Sequence, residues 1–137
     1  MGAVLVCWMA ALCVYDIAQR RLPNWLTLPG AAAIGLYAAL TGRGVAAAAG
    51  AVALGGLYLV VYLVDSRAMG GGDVKLAAGL GGLTAMYGAD VWGLAALGAP
   101  VLTAIYGTAA LLLGKGRTVP HGPSMCLSSA VAVVLVQ

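Results

Sequence analysis

GVAAAAGAVALGGLYLVVYLV, residues 44–64, runs uncharged from just after Arg43 to just before Asp65. A bilayer core of about 30 Å takes about 20 apolar residues as helix, so this stretch is long enough to cross one. Outward from it, charges delimit five further uncharged runs, at 1–15, 22–42, 76–89, 91–114 and 118–137. Only 8% of the 137 residues are charged and 63% are hydrophobic, against roughly 25% charged in a soluble domain, so the chain reads as a membrane protein. The expected fold class is all-α, a polytopic transmembrane bundle of about six helices forming a single domain over residues 1–137.

The runs at 22–42, 44–64, 91–114 and 118–137 are long enough outright. The first reaches adequate length if its helix continues through Asp16 towards Arg20, which leaves Asp16 about one turn inside the boundary. The run at 76–89 is short and carries Gly79, Gly81, Gly82 and Gly88, so a tilted span, a thinned site or a re-entrant segment is expected there.

Basic residues favour the cytoplasmic side. With the N-terminus outside and six spans, Arg20, Arg21, Arg67, Lys75, Lys115 and Arg117 fall inside and Arg43 alone falls outside. That topology puts Asp16, Asp65 and Asp73 near the inner face and Asp90 at the outer one. The net charge of +3 is then a topological signal and calls for no nucleic-acid partner. The first run lacks the basic n-region of a secretory signal and reads as a retained helix.

Cys7, Cys13 and Cys126 sit apart in apolar runs with no C-x-x-C pair, which reads as apolar thiols rather than a metal or redox site. No metal and no cofactor are expected. Many of the 21 glycines suit close helix packing, with Gly50, Gly55, Gly56, Gly93 and Gly98 as candidate contacts. Trp8, Trp25 and Trp92 read as interfacial anchors, not a cofactor box.

The acidic residues are four aspartates. A carboxylate in or near a bilayer is disfavoured by about 2.5–3.5 kcal/mol or more at mid-depth, which makes it a functional candidate. Asp16 lies at the inner end of the first helix, and Asp73 closes Gly70-Gly71-Gly72-Asp73 at the inner end of the fourth. Two carboxylates a few ångströms apart do not both ionise easily; one keeps a proton while the other stays charged. Such a pair can draw a proton from an attacking water and donate one to a peptide carbonyl without a metal. The pair titrates as a unit, so the sequence leaves open which aspartate starts as base.

Gly70, Gly71 and Gly72 can take backbone angles closed to other residues and let an extended substrate come close. No strand or Gly-Lys-Ser/Thr ending accompanies them, so a phosphate loop is excluded. Lys75 is expected to modulate Asp73 through proximity or to reach for head groups. Asp65 pairs locally with Arg67 or attracts a basic substrate segment. Pro23 and Asn24 start the second helix, Asp90 is an outer-surface charge, and His121 has no second histidine or cysteine nearby for a metal site.

Asp16 followed by Arg20-Arg21-Leu22-Pro23-Asn24, then Gly70-Gly71-Gly72-Asp73-Val74-Lys75-Leu76, then Pro120-His121-Gly122-Pro123, resembles the type IV prepilin peptidases, polytopic aspartic proteases, over nearly the whole chain. The resemblance implies that Asp16 and Asp73 are catalytic, and that the substrate is a prepilin-like protein whose basic leader is cut on the cytoplasmic side of a bacterial cytoplasmic membrane. Longer members carry a cytosolic insertion with paired cysteines and methylate the new N-terminus. This chain has neither that insertion nor those cysteines, so the resemblance is to the short peptidases of the Tad or Flp pilus type and does not imply methyltransferase activity. Two other readings stand beside it. Tyr15-Asp16 and the Gly-x-Gly-Asp step echo presenilin-type intramembrane proteases, and a proton- or cation-handling membrane protein also uses intramembrane carboxylates.

Overall fold

A computed structural model describes residues 2–116 and 119–137; Arg117, counted above among the inner charges, lies outside them. Six helices follow one another: α1 (Gly2–Gln19), α2 (Asn24–Leu40), α3 (Gly44–Val64), α4 (Gly71–Ala85), α5 (Ala89–Leu112) and α6 (Gly122–Val134). Among the described residues there is no strand. Three helices, α1, α3 and α5, are long and apolar enough to cross a membrane. The all-helical bundle expected from the sequence is therefore present.

α3 fills the uncharged run at 44–64 from end to end, because charges close it on both sides. α1 continues through Asp16 to Gln19 as its length required. Arg20 then stops it in the left-handed region at φ 50, its N–H still donating to the Asp16 carbonyl at 2.8 Å. A non-glycine residue there is strained by roughly 1–2 kcal/mol. α2 starts behind Pro23 with Asn24 as its first residue, as the sequence suggested.

Two of the runs taken as long enough are not filled. α2 has 17 residues and α6 only 13, so α6 rises about 20 Å, short of a bilayer core. Pro120 keeps Val119 out of helical geometry, and the helix begins at Gly122 with Pro123 in its first turn. The run at 76–89 is likewise corrected. Its helix begins earlier, at Gly71, and ends at Ala85, where a turn through Gly88 at φ 133 leads into α5. α4 is the centre of the bundle, packed against α2, α3, α5 and α6. α4 is thus covered by the other helices, whereas α6 leaves Leu127, Val131 and Val134 exposed; Leu76, Leu80, Leu83 and Met125 are almost wholly buried with Leu12 of α1.

α3 and α4 meet backbone to backbone. A Cβ on Gly81 would lie 2.5 Å from the Gly50 carbonyl oxygen and 2.8 Å from Leu54 Cβ, and one on Gly55 would lie 3.0 Å from Ala78. In lipid, where hydrophobic burial gives helices little reason to associate, such close packing is what holds them. Gly98 plays the same part against Ser128, whereas Gly56 and Gly93 face open space. Trp8 and Trp92 are pegs between helices, donating their indole N–H to the Leu26 carbonyl (2.8 Å) and the Gly50 carbonyl (3.2 Å); only Trp25 is exposed. The exposed aliphatic residues of α3 and α5, such as Leu57, Val60, Leu97 and Ile105, form the face a bilayer covers.

Candidate active site

Three connecting segments gather at one end of the bundle: 20–23 after α1, 65–70 before α4, and 119–121 before α6. At the other end, the Arg43 guanidinium lies over the Tyr87 ring. Arg20, Arg21 and Arg67, assigned to one side by charge, therefore share one end of the fold.

Asp16 belongs to the last turn of α1 and is 6% exposed. Its Oδ2 accepts the backbone N–H of Gly122, 2.8 Å away, at the start of α6. A Cβ on residue 122 would run into this carboxylate, so the approach requires glycine. Asp73 is the third residue of α4, and its Oδ2 reaches back to the N–H of Gly70 at 3.4 Å. The first turn of a helix presents unsatisfied amides and a partial positive charge, which favours a carboxylate there.

The two aspartates line one cleft of about 300 Å³ with Arg20, Arg21, Leu22 and Gly70 to Gly72. A second opening onto the same pair passes Arg67, Pro120 and His121. Asp16 is the charged group whose field reaches Asp73. What brings them together is the crossing of the 20–23 segment over the start of α4. A Cβ on Gly72 would sit 2.8 Å from Leu22 Cβ and 3.4 Å from its backbone N and O. Arg20, bent into the left-handed region, aims the chain along that path.

The conformational freedom expected of Gly70 to Gly72 is not used. Gly70 has φ −82 and ψ 151, open to any residue, while Gly71 and Gly72 are already helical. Of the three only Gly72 serves close approach, and the chain that approaches it is this protein's own. Lys75 Nζ donates to Asn24 Oδ1 at 2.6 Å, fastening α4 to the start of α2. Asp65 ends α3, where its Oδ1 accepts the Arg67 N–H at 2.9 Å in a local turn; it is exposed and outside the cleft, while Arg67 lines it. Asp90 opens α5 at the far end.

His121 is the residue that the sequence undervalued. Its Nε2 lies 2.8 Å from the Tyr58 hydroxyl of α3, and its Nδ1 is hydrogen-bonded to Thr103 of α5. Burial pushes its pKa below the ordinary 6.5, so the ring is neutral at pH 7. Its signal was the Pro120-His121-Gly122-Pro123 step, which holds Gly122 against Asp16. Cys13 and Cys126 touch each other beside Asp16. Among the described residues, no three His, Cys, Asp or Glu side chains gather as a metal ligand set.

Two carboxylates in one polar cleft, one deeply buried and one at a helix start, can share a proton and activate a water between them. No significant match was found among curated proteins or among solved structures. A family model does match, over residues 3–135 and so over almost the whole bundle, and by it the chain belongs to the type IV leader peptidase family.

Proposed function

We propose that the chain removes the leader of Tad- or Flp-type prepilins at the cytoplasmic face of a bacterial cytoplasmic membrane, with Asp16 and Asp73 as its catalytic pair. Family membership makes it an aspartic-type peptidase of prepilin-like substrates. The observation that carries the finer reading is the shared cleft: two aspartates from different helices open onto it from one end of the bundle.

In this reading the ionised aspartate takes a proton from water as its oxygen attacks the scissile carbonyl, and the protonated one donates to the carbonyl oxygen. The substrate lies extended over Gly70 and Gly71, whose missing side chains leave the cleft open beside the point where Leu22 crosses Gly72. Asp65, exposed beyond the cleft, draws a basic leader towards it, and Lys75 acts on Asp73 indirectly, by holding α4 to Asn24. The excess of Lys and Arg at this end supports a cytoplasmic site with the N-terminus outside. Residues 1–137 work as one domain.

The test is cleavage of a synthetic prepilin with a basic leader and glycine before the scissile bond, by the full chain in proteoliposomes. Mass spectrometry is expected to find one cut, after that glycine. A cut inside the apolar segment would favour intramembrane proteolysis, and no cut at all would remove the prepilin assignment.

A further inference from the structure

The geometry points to His121 as a positioning residue: clamped by Tyr58 of α3 and Thr103 of α5, it aims the Gly122 N–H at Asp16 and makes Asp16 the water-activating base, leaving the shared proton on Asp73. This rests on the aspartate-pair reading and adds to it the assignment of roles that the sequence left open.

The clamp uses the whole imidazole ring. A neutral histidine has one donor and one acceptor nitrogen, and a hydroxyl can meet either, so both contacts are hydrogen bonds in either tautomer. They tie the segment before α6 to two other helices. Pro120 restricts the backbone on one side of His121 and Pro123 on the far side of Gly122. Gly122 thereby offers to Asp16 one of the amides that a helix start leaves without a partner.

The two carboxylates are served unequally. Asp16 accepts a buried N–H at 2.8 Å, whereas Asp73 accepts an exposed one at 3.4 Å. A short amide bond stabilises the ionised form, so the charge settles on Asp16. Asp16 then takes the water proton as the new C–O bond forms, and Asp73 protonates the carbonyl oxygen, giving a gem-diol. In collapse, Asp73 recovers a proton from a gem-diol hydroxyl while Asp16 gives its own to the leaving nitrogen as the C–N bond breaks. Both return to their starting forms.

The groups facing Asp16 are Asp73 from α4, Cys126 from α6, Cys13 on its own helix, and Arg20, Arg21, Arg67 and His121 from the connecting segments. The experiment is the pH profile of kcat/KM on the prepilin probe for the full chain and for His121→Ala, Thr103→Val and Tyr58→Phe. Its companion is an infrared titration of the Asp16 carboxylate band, read as wild type minus Asp16→Asn.

In His121→Ala the acid limb is expected to move about one unit to higher pH, with kcat down about tenfold and KM little changed. Thr103→Val and Tyr58→Phe, which keep the ring, shift it partway, and the infrared band follows the same order. Superposable profiles and bands in wild type and His121→Ala would overturn the clamp, as would a shift in the Asp73 band instead. The infrared readout needs no turnover, so a chain that cleaves nothing counts against the peptidase reading separately from the clamp.

Discussion

Leu22 lies across Gly72 so closely that a single added carbon would sit 2.8 Å from its Cβ. This contact joins the segment after Asp16 to the helix start that carries Asp73, and the cleft between the aspartates depends on it. Gly72→Ala is therefore expected to leave helix content intact, since alanine favours helix, yet to lower kcat/KM by about 10–100-fold through displacement of the pair. Circular dichroism alongside the cleavage assay separates the two effects. Full activity in Gly72→Ala would show that the crossing does not set the site.

The α3–α4 contact predicts a different outcome for Gly81. A Cβ there meets the Gly50 backbone carbonyl at 2.5 Å, and backbone cannot turn aside as a flexible side chain can. Gly81→Ala should destabilise the bundle by about 1–3 kcal/mol, the usual range for overpacking. The gain in helix propensity, about 1 kcal/mol, only partly offsets it. Thermal unfolding in detergent measures the difference, and a variant as stable as the parent would contradict the packing described.

His121 makes stability depend on pH. Burial holds it below its ordinary 6.5, so as pH falls through 6.5 the unfolded chain takes up a proton that the folded site resists, and stability is lost; above 6.5 it is regained. The hydroxyls of Tyr58 and Thr103 bond the ring, and Asp16, Asp73, Arg20 and Arg67 line the cleft beside it. His121→Gln should flatten the fall in melting temperature between pH 7.5 and 5.5, by no more than one proton's effect of about 1.4 kcal/mol per pH unit. An unchanged slope would mean that His121 does not titrate over this range.

Charges made part of the fold readable and hid another part. α3 was legible to the residue because Arg43 and Asp65 bracket it, and α1 because only a helix running past Asp16 has the length to span. The start of α4 was misread because its first five residues hold two glycines, Asp73 and Lys75, all poor signs of an apolar span. Burial among four neighbours overrides that local pattern. α6 was overestimated since hydropathy ignores how Pro120 delays the helix. The aspartates stood out by the rarity of charge. His121 did not, because its partners lie 63 and 18 residues away and no local pattern announces them.

The claim that Asp16 and Asp73 act as one catalytic unit is tested most directly by the cleavage rates of Asp16→Asn, Asp73→Asn and the double variant. Groups that share one proton inventory fail together. Each single change is expected to lower kcat/KM by about 10³-fold or more, with the double variant no slower than the worse single one. Cleavage within tenfold of the parent in either single variant, or losses that multiply in the double one, would contradict a shared aspartate pair.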